Sequence, residues 1–312
     1  MLAATDAQRD LSALLPPLVA ADASFVVSPD IAEELGLPRG VLVSAGGGDN
    51  MMAAIGTGNV EPGVLSMSLG TSGTLFAYAD HPVVDEAAGW AAFCSSSGGW
   101  LPLICTMNCT VATENVAKAF GFSTRDGDAV MAGTTPGADG LVMLPFFNGE
   151  RTPDLPHARA SLFGMDLNNL TRGNVYRAAM EGATYALRNG FDALQAAGLR
   201  FDAIRLTGGG SQSAAWRQMV ADVFEVKVEV PEQAEGAAFG AALQALWAHG
   251  RASGGDGDIA AIAREHVRVE PALSAQPDPD AVVAYRLHYP RFLRHLDVAK
   301  ELNASHAGTG MT

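Results

Sequence analysis

Asp49 and Asn50 follow three glycines in the stretch GVLVSAGGGDNMMAAIG, residues 40–56. A carboxylate between an apolar, β-branched run and a helix has two ordinary uses. It caps the helix by accepting N–H groups of the first turn. Alternatively it is a general base, taking the proton of an alcohol that attacks an electrophile, which requires an approach of about 2.6–3.2 Å. Asn50 has the same pair of uses, as a capping partner or as a ligand for a hydroxyl. Glycine before such a group serves a positive φ or the close approach of a ligand to the backbone.

Three further glycine turns follow predicted strands: Gly70-Thr71-Ser72-Gly73, Gly98-Gly99 and Gly208-Gly209-Gly210. Turns of this kind with Ser or Thr in them suit nucleotide phosphates held by backbone N–H groups. None matches G-x-x-x-x-G-K-[ST], and the three lysines (Lys118, Lys227, Lys300) follow no glycine, so a Walker-type site is excluded. GGGSQS at 208–213, between a strand and a helix and with Glu229 on the next strand, is the nearest dinucleotide fingerprint, but Ser213 stands where that pattern has Gly or Ala. In NGERTP, 148–153, Glu150 and Arg151 read as an ion pair holding a rigid loop. Cys94, Cys105, Cys109 and the histidines lack metal-ligand spacing, so no metal-binding residues are assigned.

The elements that would position these groups alternate in type. VLVSA reads as a buried strand. LSMSLGTSGTLFAYA is a hairpin around Gly70–Gly73, and AAFCSSSGGWLPLICTM is a second around Gly98-Gly99. A helix follows from Thr110 to Phe120. The long helix begins near Thr171 and is stopped by Gly198. FDAIRLT runs as a strand into Gly208–Gly210, an amphipathic helix spans SAAWRQMVADVF, and VKVEVPE is another strand. GAAFGAALQALWAHG is a helix of small residues that packs closely on a partner. The last helical stretch is broken near Pro290 and ends in a frayed tail, NASHAGTGMT. Near the start, Asp10–Leu15 reads as a helical fragment, and Ser28 caps a short helix stopped by Gly36 and Pro38. Only one convincing strand lies upstream of Asp49. The pattern is an α/β protein with a mixed sheet covered by helices.

Composition bounds the partners. At 312 residues and 48% hydrophobic the chain builds a substantial core. A net charge of −14 opposes the phosphate contacts on which nucleic-acid binding rests, so no nucleic-acid partner is expected. No apolar run reaches about 18 residues, so no membrane partner is expected either. Three cysteines without a framework and an N-terminus without signal-peptide order point to the cytoplasm.

Taken together, AGGGDNMMAAIGTG, LSMSLGTSGTLF, LPFFNGERTP, LTGGGSQSAAWRQMVADVF and EGAAFGAALQA resemble the FGGY carbohydrate kinases in order and spacing. The glycine-Asp-Asn turn and the Gly-Glu-Arg-Thr-Pro loop are most similar to its xylulose-kinase branch. The resemblance runs from about residue 35 to 250. It implies an actin-like ATPase, ribonuclease H-like fold and transfer of the γ-phosphate of ATP to a sugar hydroxyl, with Mg2+ accompanying the nucleotide. For D-xylulose the product is D-xylulose 5-phosphate. By the same resemblance Asp49 is the base and Asn50 a sugar ligand. Gly70, Thr71 and Ser72 hold the terminal phosphates, Gly209 and Gly210 admit the nucleotide, and Ser213 lies beside the adenosine. Asp222 is structural, and GAAFGAAL packs under the nucleotide.

The resemblance also implies three segments. Residues 1–58 are a remnant of the N-terminal, sugar-side lobe; 59–250 are the C-terminal, nucleotide-side lobe; 251–312 are a loop and closing helices. No Asp-x-Gly-Thr hairpin precedes Asp49, so activity is expected to need a missing N-terminal lobe, through complementation or a homodimer. Members of the family carry an aromatic residue near the position of Asn115. Two alternatives stay open: a catalytically silent nucleotide-binding or oligomerising fragment, and a kinase for another ketose or polyol.

Overall fold

A computed structural model describes residues 5–84 and 89–308. The centre is a six-stranded mixed sheet of β3 (Gly63–Leu69), β4 (Gly73–Ala77), β5 (Ala91–Cys94), β6 (Trp100–Thr106), β9 (Phe201–Thr207) and β10 (Lys227–Glu229), in the order β10-β9-β3-β4-β6-β5. β3, β4, β6 and β5 are antiparallel in succession, while β9 and β10 run parallel to β3. This is the arrangement expected of a ribonuclease H-like lobe, and it differs from the all-parallel sheet that the dinucleotide alternative requires. β7 (Val142–Leu144) and β8 (Ser161–Phe163) form a separate antiparallel pair, and the short α4 (Gly127–Met131) carries Asp128.

Alternation along the strands makes three layers. Leu65, Met67, Leu69, Leu75 and Ile104 point to one face, where they join α5 (Arg172–Ala196), α6 (Ala214–Phe224) and α3 (Thr110–Ala119) in the main core. Thr171 caps α5 by accepting from Asn174 N–H. On the other face Phe76, Leu101 and Leu103 pack against α2 (Asp49–Gly56) through Ala54. A buried polar bridge ties the end of α2 to the sheet: the Thr57 and Ser66 hydroxyls meet at 2.7 Å, and Asn59 Nδ2 donates to Ser66 Oγ and to Phe76 O.

The partner of the small-residue helix, α7 (Gly236–Ala252), is α2 itself, and the two meet backbone to backbone. A Cβ on Gly240 would lie 1.7 Å from Met52 O, and one on Gly56 would lie 2.0 Å from Gly236 O. Around this crossing Met52, Ile55, Val60 and Leu243 form a second core with α8 (Ile259–His266).

Four local expectations differ from the structure. Upstream of Asp49 there are two strands: β1 (Ser24–Val26) pairs antiparallel with β2 (Leu42–Ser44). The VLVSA strand is not buried, because this two-stranded sheet has one face uncovered; Phe25 and Val43, directly opposite, are 52% and 54% exposed. The 10–15 fragment is only a turn of 3-10 helix at Ser12–Leu14. The final helix, α9 (Pro279–Gly308), continues through Pro290. Tyr285, Phe292 and Leu296 on either side of the proline are buried in the main core, and that packing outweighs the lost hydrogen bond. Of the tail predicted to fray, residues 309–312 lie outside the described residues.

Candidate functional site

Two of the predicted glycine turns meet at one end of the sheet. β3 and β9 are neighbours and end together, so the Gly70–Gly73 turn and the Gly208–Gly210 turn lie side by side. Gly208 has φ +83°, and a Cβ there would strike the Leu69 backbone at 2.7 Å. Gly210 is buried, with a Cβ position 2.7 Å from Leu69 Cβ and 3.1 Å from the Trp216 ring. Close packing therefore accounts for glycine at 208 and 210. Gly209 differs: it is exposed and nothing lies within 4 Å of its Cβ position. Arg217, buried beneath, donates from Nη1 to Ser211 O and Gln212 O and fixes this 3-10 turn, Gly209–Gln212.

The Gly70–Gly73 turn is docked on the start of α3. Cys109 N–H donates to Thr71 O and Thr110 N–H to Gly70 O, both at 2.9 Å. Those bonds use carbonyls and leave the Thr71 and Ser72 side chains exposed. Between this region, the Gly209 turn and α5 lies a cavity of about 470 Å³. Gly209, Gly210 and Ser213 line it, as do Thr110, Glu114 and Arg125. A second cleft of about 420 Å³ lies on the other side of the same turn, against residues 230–234.

Ser213 is a wall of the cavity whose hydroxyl is already committed. Its Oγ donates to Asp128 Oδ1 and accepts from Trp216 N–H as the cap of α6. Asp128 Oδ2 also accepts from Ala215 N–H, which sets a carboxylate at the positive end of that helix. Asp128, Glu114, Arg125, Tyr176 and Trp216 went unread as site residues. Trp216, three residues after a serine cap, had a local signal. Asp128 had none, because its partner is 85 positions away. Asn115, exposed on α3, bonds Val111 O and is outside the lining.

Asp49 opens α2 as its first helical residue; Gly48 is the cap residue. The carboxylate is exposed, accepts only from Asn50 N–H at 2.8 Å and has no ion-pair partner among the described residues. Capping therefore does not explain it, and it is available to a ligand. Neither Asp49 nor Asn50 bonds to the Gly70–Gly73 or Gly208–Gly210 turns. The loop before them rests elsewhere: a Cβ on Gly47 would lie 2.1 Å from Ser96 Oγ in the β5–β6 turn. In the β4–β6 register that turn is at the opposite end of β6 from Gly73.

The Glu150–Arg151 ion pair is not formed. Glu150, buried at 1% exposure, accepts from Met107 N–H, Asn108 Nδ2 and Arg151 N–H. Two donors on the chain just after β6 and the loop's own Arg151 N–H satisfy it better than one guanidinium with its desolvation cost. Arg151 turns outward and donates from Nη1 to Cys105 Sγ at 3.2 Å. Asp222 is structural as expected, accepting from Gln218 Nε2 and Asp278 N–H, with burial raising its pKa. Among the described residues no cluster of three or more His, Cys, Asp or Glu forms a metal site, and no helix is long and apolar enough to cross a membrane.

Comparison with known proteins agrees with this geometry. The C-terminal domain of the FGGY family of carbohydrate kinases matches residues 65–249. A xylulose kinase of Haemophilus influenzae is 42% identical over 290 residues, covering 93% of this chain and 58% of that protein. A xylulose kinase of Streptomyces coelicolor is 40% identical over 261 residues, covering 82% and 51%. The crystal structure of a xyloylose kinase from Brucella ovis superposes with a TM-score of 0.84 at 30% identity, over 92% of this chain and 58% of that one. The chain thus spans about half the length of the curated relatives it matches. With its actin-like, ribonuclease H-like sheet and its two glycine turns at one sheet end, the chain belongs to the FGGY family of carbohydrate kinases.

Proposed function

We propose that this chain carries the nucleotide-binding part and the catalytic base of an ATP-dependent sugar kinase acting on D-xylulose. The observation that carries the reading is the 470 Å³ cavity between the Gly209–Ser213 turn, α5 and the start of α3, on which the Gly70–Gly73 turn is docked. The open backbone at Gly209 admits the nucleotide, and the exposed Thr71 and Ser72 side chains and the start of α3 face its phosphates. ATP supplies the phosphoryl group. Asp49 accepts the proton of the sugar hydroxyl as its oxygen bonds to the γ-phosphorus and the bond to the β-phosphate oxygen breaks. Asn50, whose amide is unpartnered among the described residues, orients that sugar. Magnesium would accompany the nucleotide, held by its phosphates and water, and no step is assigned to it.

The uncovered β1–β2 face belongs to the same reading. Phe25 and Val43 on the strands, with Ile31 and Leu35 on α1 (Pro29–Glu34), present apolar surface of the kind buried in interfaces. The part of the fold that the longer relatives carry and this chain does not span, or a second copy, covers it. The segment division at 58 and 250 and a cytoplasmic location are part of this proposal.

A catalytically silent nucleotide-binding role is the second reading, favoured by the absence of any bond between Asp49 and the two turns. Thermal-shift titration separates the possibilities, since binding to the folded state alone raises its melting temperature. ATP and ADP are expected to stabilise the chain, with little turnover of D-xylulose by the chain alone. No shift with any nucleotide rejects both readings. In a polypeptide of the relatives' full length, Asp49→Asn is expected to lower turnover by roughly 10²–10⁴-fold with ATP binding intact; undiminished turnover removes Asp49 as the base.

A further inference from the structure

The 148–156 loop turns one of its two charged residues inward and the other outward. Glu150 is consumed by three donors of the chain, and Glu150 and Leu155 exchange backbone hydrogen bonds across the loop at 2.9 Å. Thr152 Oγ1 donates to Gly89 O on a neighbouring segment. Arg151 is thereby held at a fixed place on the surface. Among the described residues it has no carboxylate partner, and its one side-chain hydrogen bond is to a thiol, a weak acceptor. Most of its five donors are unused, in a chain with 34 acidic residues available for pairing.

Sheet register says where that guanidinium stands. Cys105 is opposite Thr74 on β4, Thr74 is opposite Ser68 on β3, and Ser68 is opposite Thr207 on β9. Cys105, Thr74, Ser68 and Thr207 are all half-buried, on the face against which α2 packs, and Cys105 itself touches the Ala54 cluster. They form a polar ledge beside the Gly70–Gly73 turn, since Thr74 adjoins Gly73. Thr74 Oγ1 is buried and has no hydrogen-bond partner among the described residues. A planar cation with free donors beside such a ledge is matched to a phosphoryl group, which it grips with two parallel N–H···O bonds.

We infer that Arg151 binds a phosphoryl group at the edge of the Gly70–Gly73 turn, either the terminal phosphate of the nucleotide or the phosphate of the phosphorylated sugar. This rests on the kinase reading. Isothermal titration of the wild-type chain, Arg151→Gln and Arg151→Lys with ATP, ADP, AMP and D-xylulose 5-phosphate tests it. Arg151→Gln is expected to weaken one phosphoryl ligand by about tenfold or more, the worth of a charge-assisted bond. AMP binding stays unchanged, and Arg151→Lys recovers part of the loss. A loss confined to ATP assigns the nucleotide's terminal phosphate; a loss confined to D-xylulose 5-phosphate assigns the product. Because Arg151 is exposed, both variants are expected to melt with the wild type. If wild type binds ATP and Arg151→Gln binds all four ligands equally well, this inference falls while the kinase reading survives. If wild type binds none of them, both fall.

Discussion

Replacing Gly240 by alanine tests the crossing of α2 and α7. The added Cβ would lie 1.7 Å from Met52 O and 2.7 Å from Gly56 N, both backbone atoms of α2 that no rotamer change moves. Restoring an ordinary contact of about 3.5 Å means separating the helices by roughly 1.5 Å or more. A gap of even about 1 Å forfeits up to half of each contact's attraction, and here the contacts are those of Met52, Ile55 and Leu243. Overpacking strain of about 1–3 kcal/mol is therefore joined by loosening of the second core, for a total near 3 kcal/mol. In a chain of this size that is a fall of roughly 6 °C or more in Tm. Gly250→Ala is the matched control on the same helix, where nothing lies within 4 Å; it is expected to be neutral or to stabilise by about 0.5–1 kcal/mol. Thermal and urea melts followed by circular dichroism measure both. Equal stability of the two variants would refute the view that backbone contact at Gly240 sets the position of the Asp49 helix.

Glu181, buried beside Arg177 with Gly137 N–H donating to it, has its pKa raised by burial from 4.5 to about 7. The folded state holds this proton more tightly than the unfolded chain, so its contribution is fully present below pH 4.5 and is lost as pH rises to about 7, by roughly 3 kcal/mol. Urea melts between pH 5 and 8 are expected to show that slope in the wild type and to lose it in Glu181→Gln. Gly209→Ala is expected to fold normally and weaken ATP binding, whereas Gly210→Ala, which meets Leu69 and Trp216, is expected to lower Tm first; nucleotide titration with a parallel melt distinguishes them. Glu150→Ala leaves the Met107 and Asn108 donors without their carboxylate and is expected to cost about 3 kcal/mol or more, read from the urea midpoint.

Motifs whose chemistry is local were legible before any coordinates. The hairpin around Gly70–Gly73 follows from alternating residues about a tight turn, and the α5 cap from Thr171, because each depends on residues within a few positions. Fold class followed from the order of such pieces. Misreadings came where a distant partner decides the outcome. Glu150 and Arg151 are adjacent and oppositely charged, yet three donors from 107, 108 and the loop's own backbone divert the carboxylate inward. Pro290 breaks a helix in isolation, but Tyr285, Phe292 and Leu296 are anchored in a core made by other elements.

By itself the sequence determined which side chains are available for chemistry, Asp49 with Asn50 and the hydroxyls of Thr71 and Ser72, and that glycine turns would present them. Only the tertiary structure decided which of these come together. The parallel pairing of β3 with β9 sets two turns separated by more than a hundred residues side by side at one sheet end, next to the cavity that the second of them lines, while the Gly47–Ser96 and Gly56–Gly240 contacts hold Asp49 on a separate support. Local propensity acts over a few residues, whereas strand register and helix crossing are set by burial summed over the whole chain.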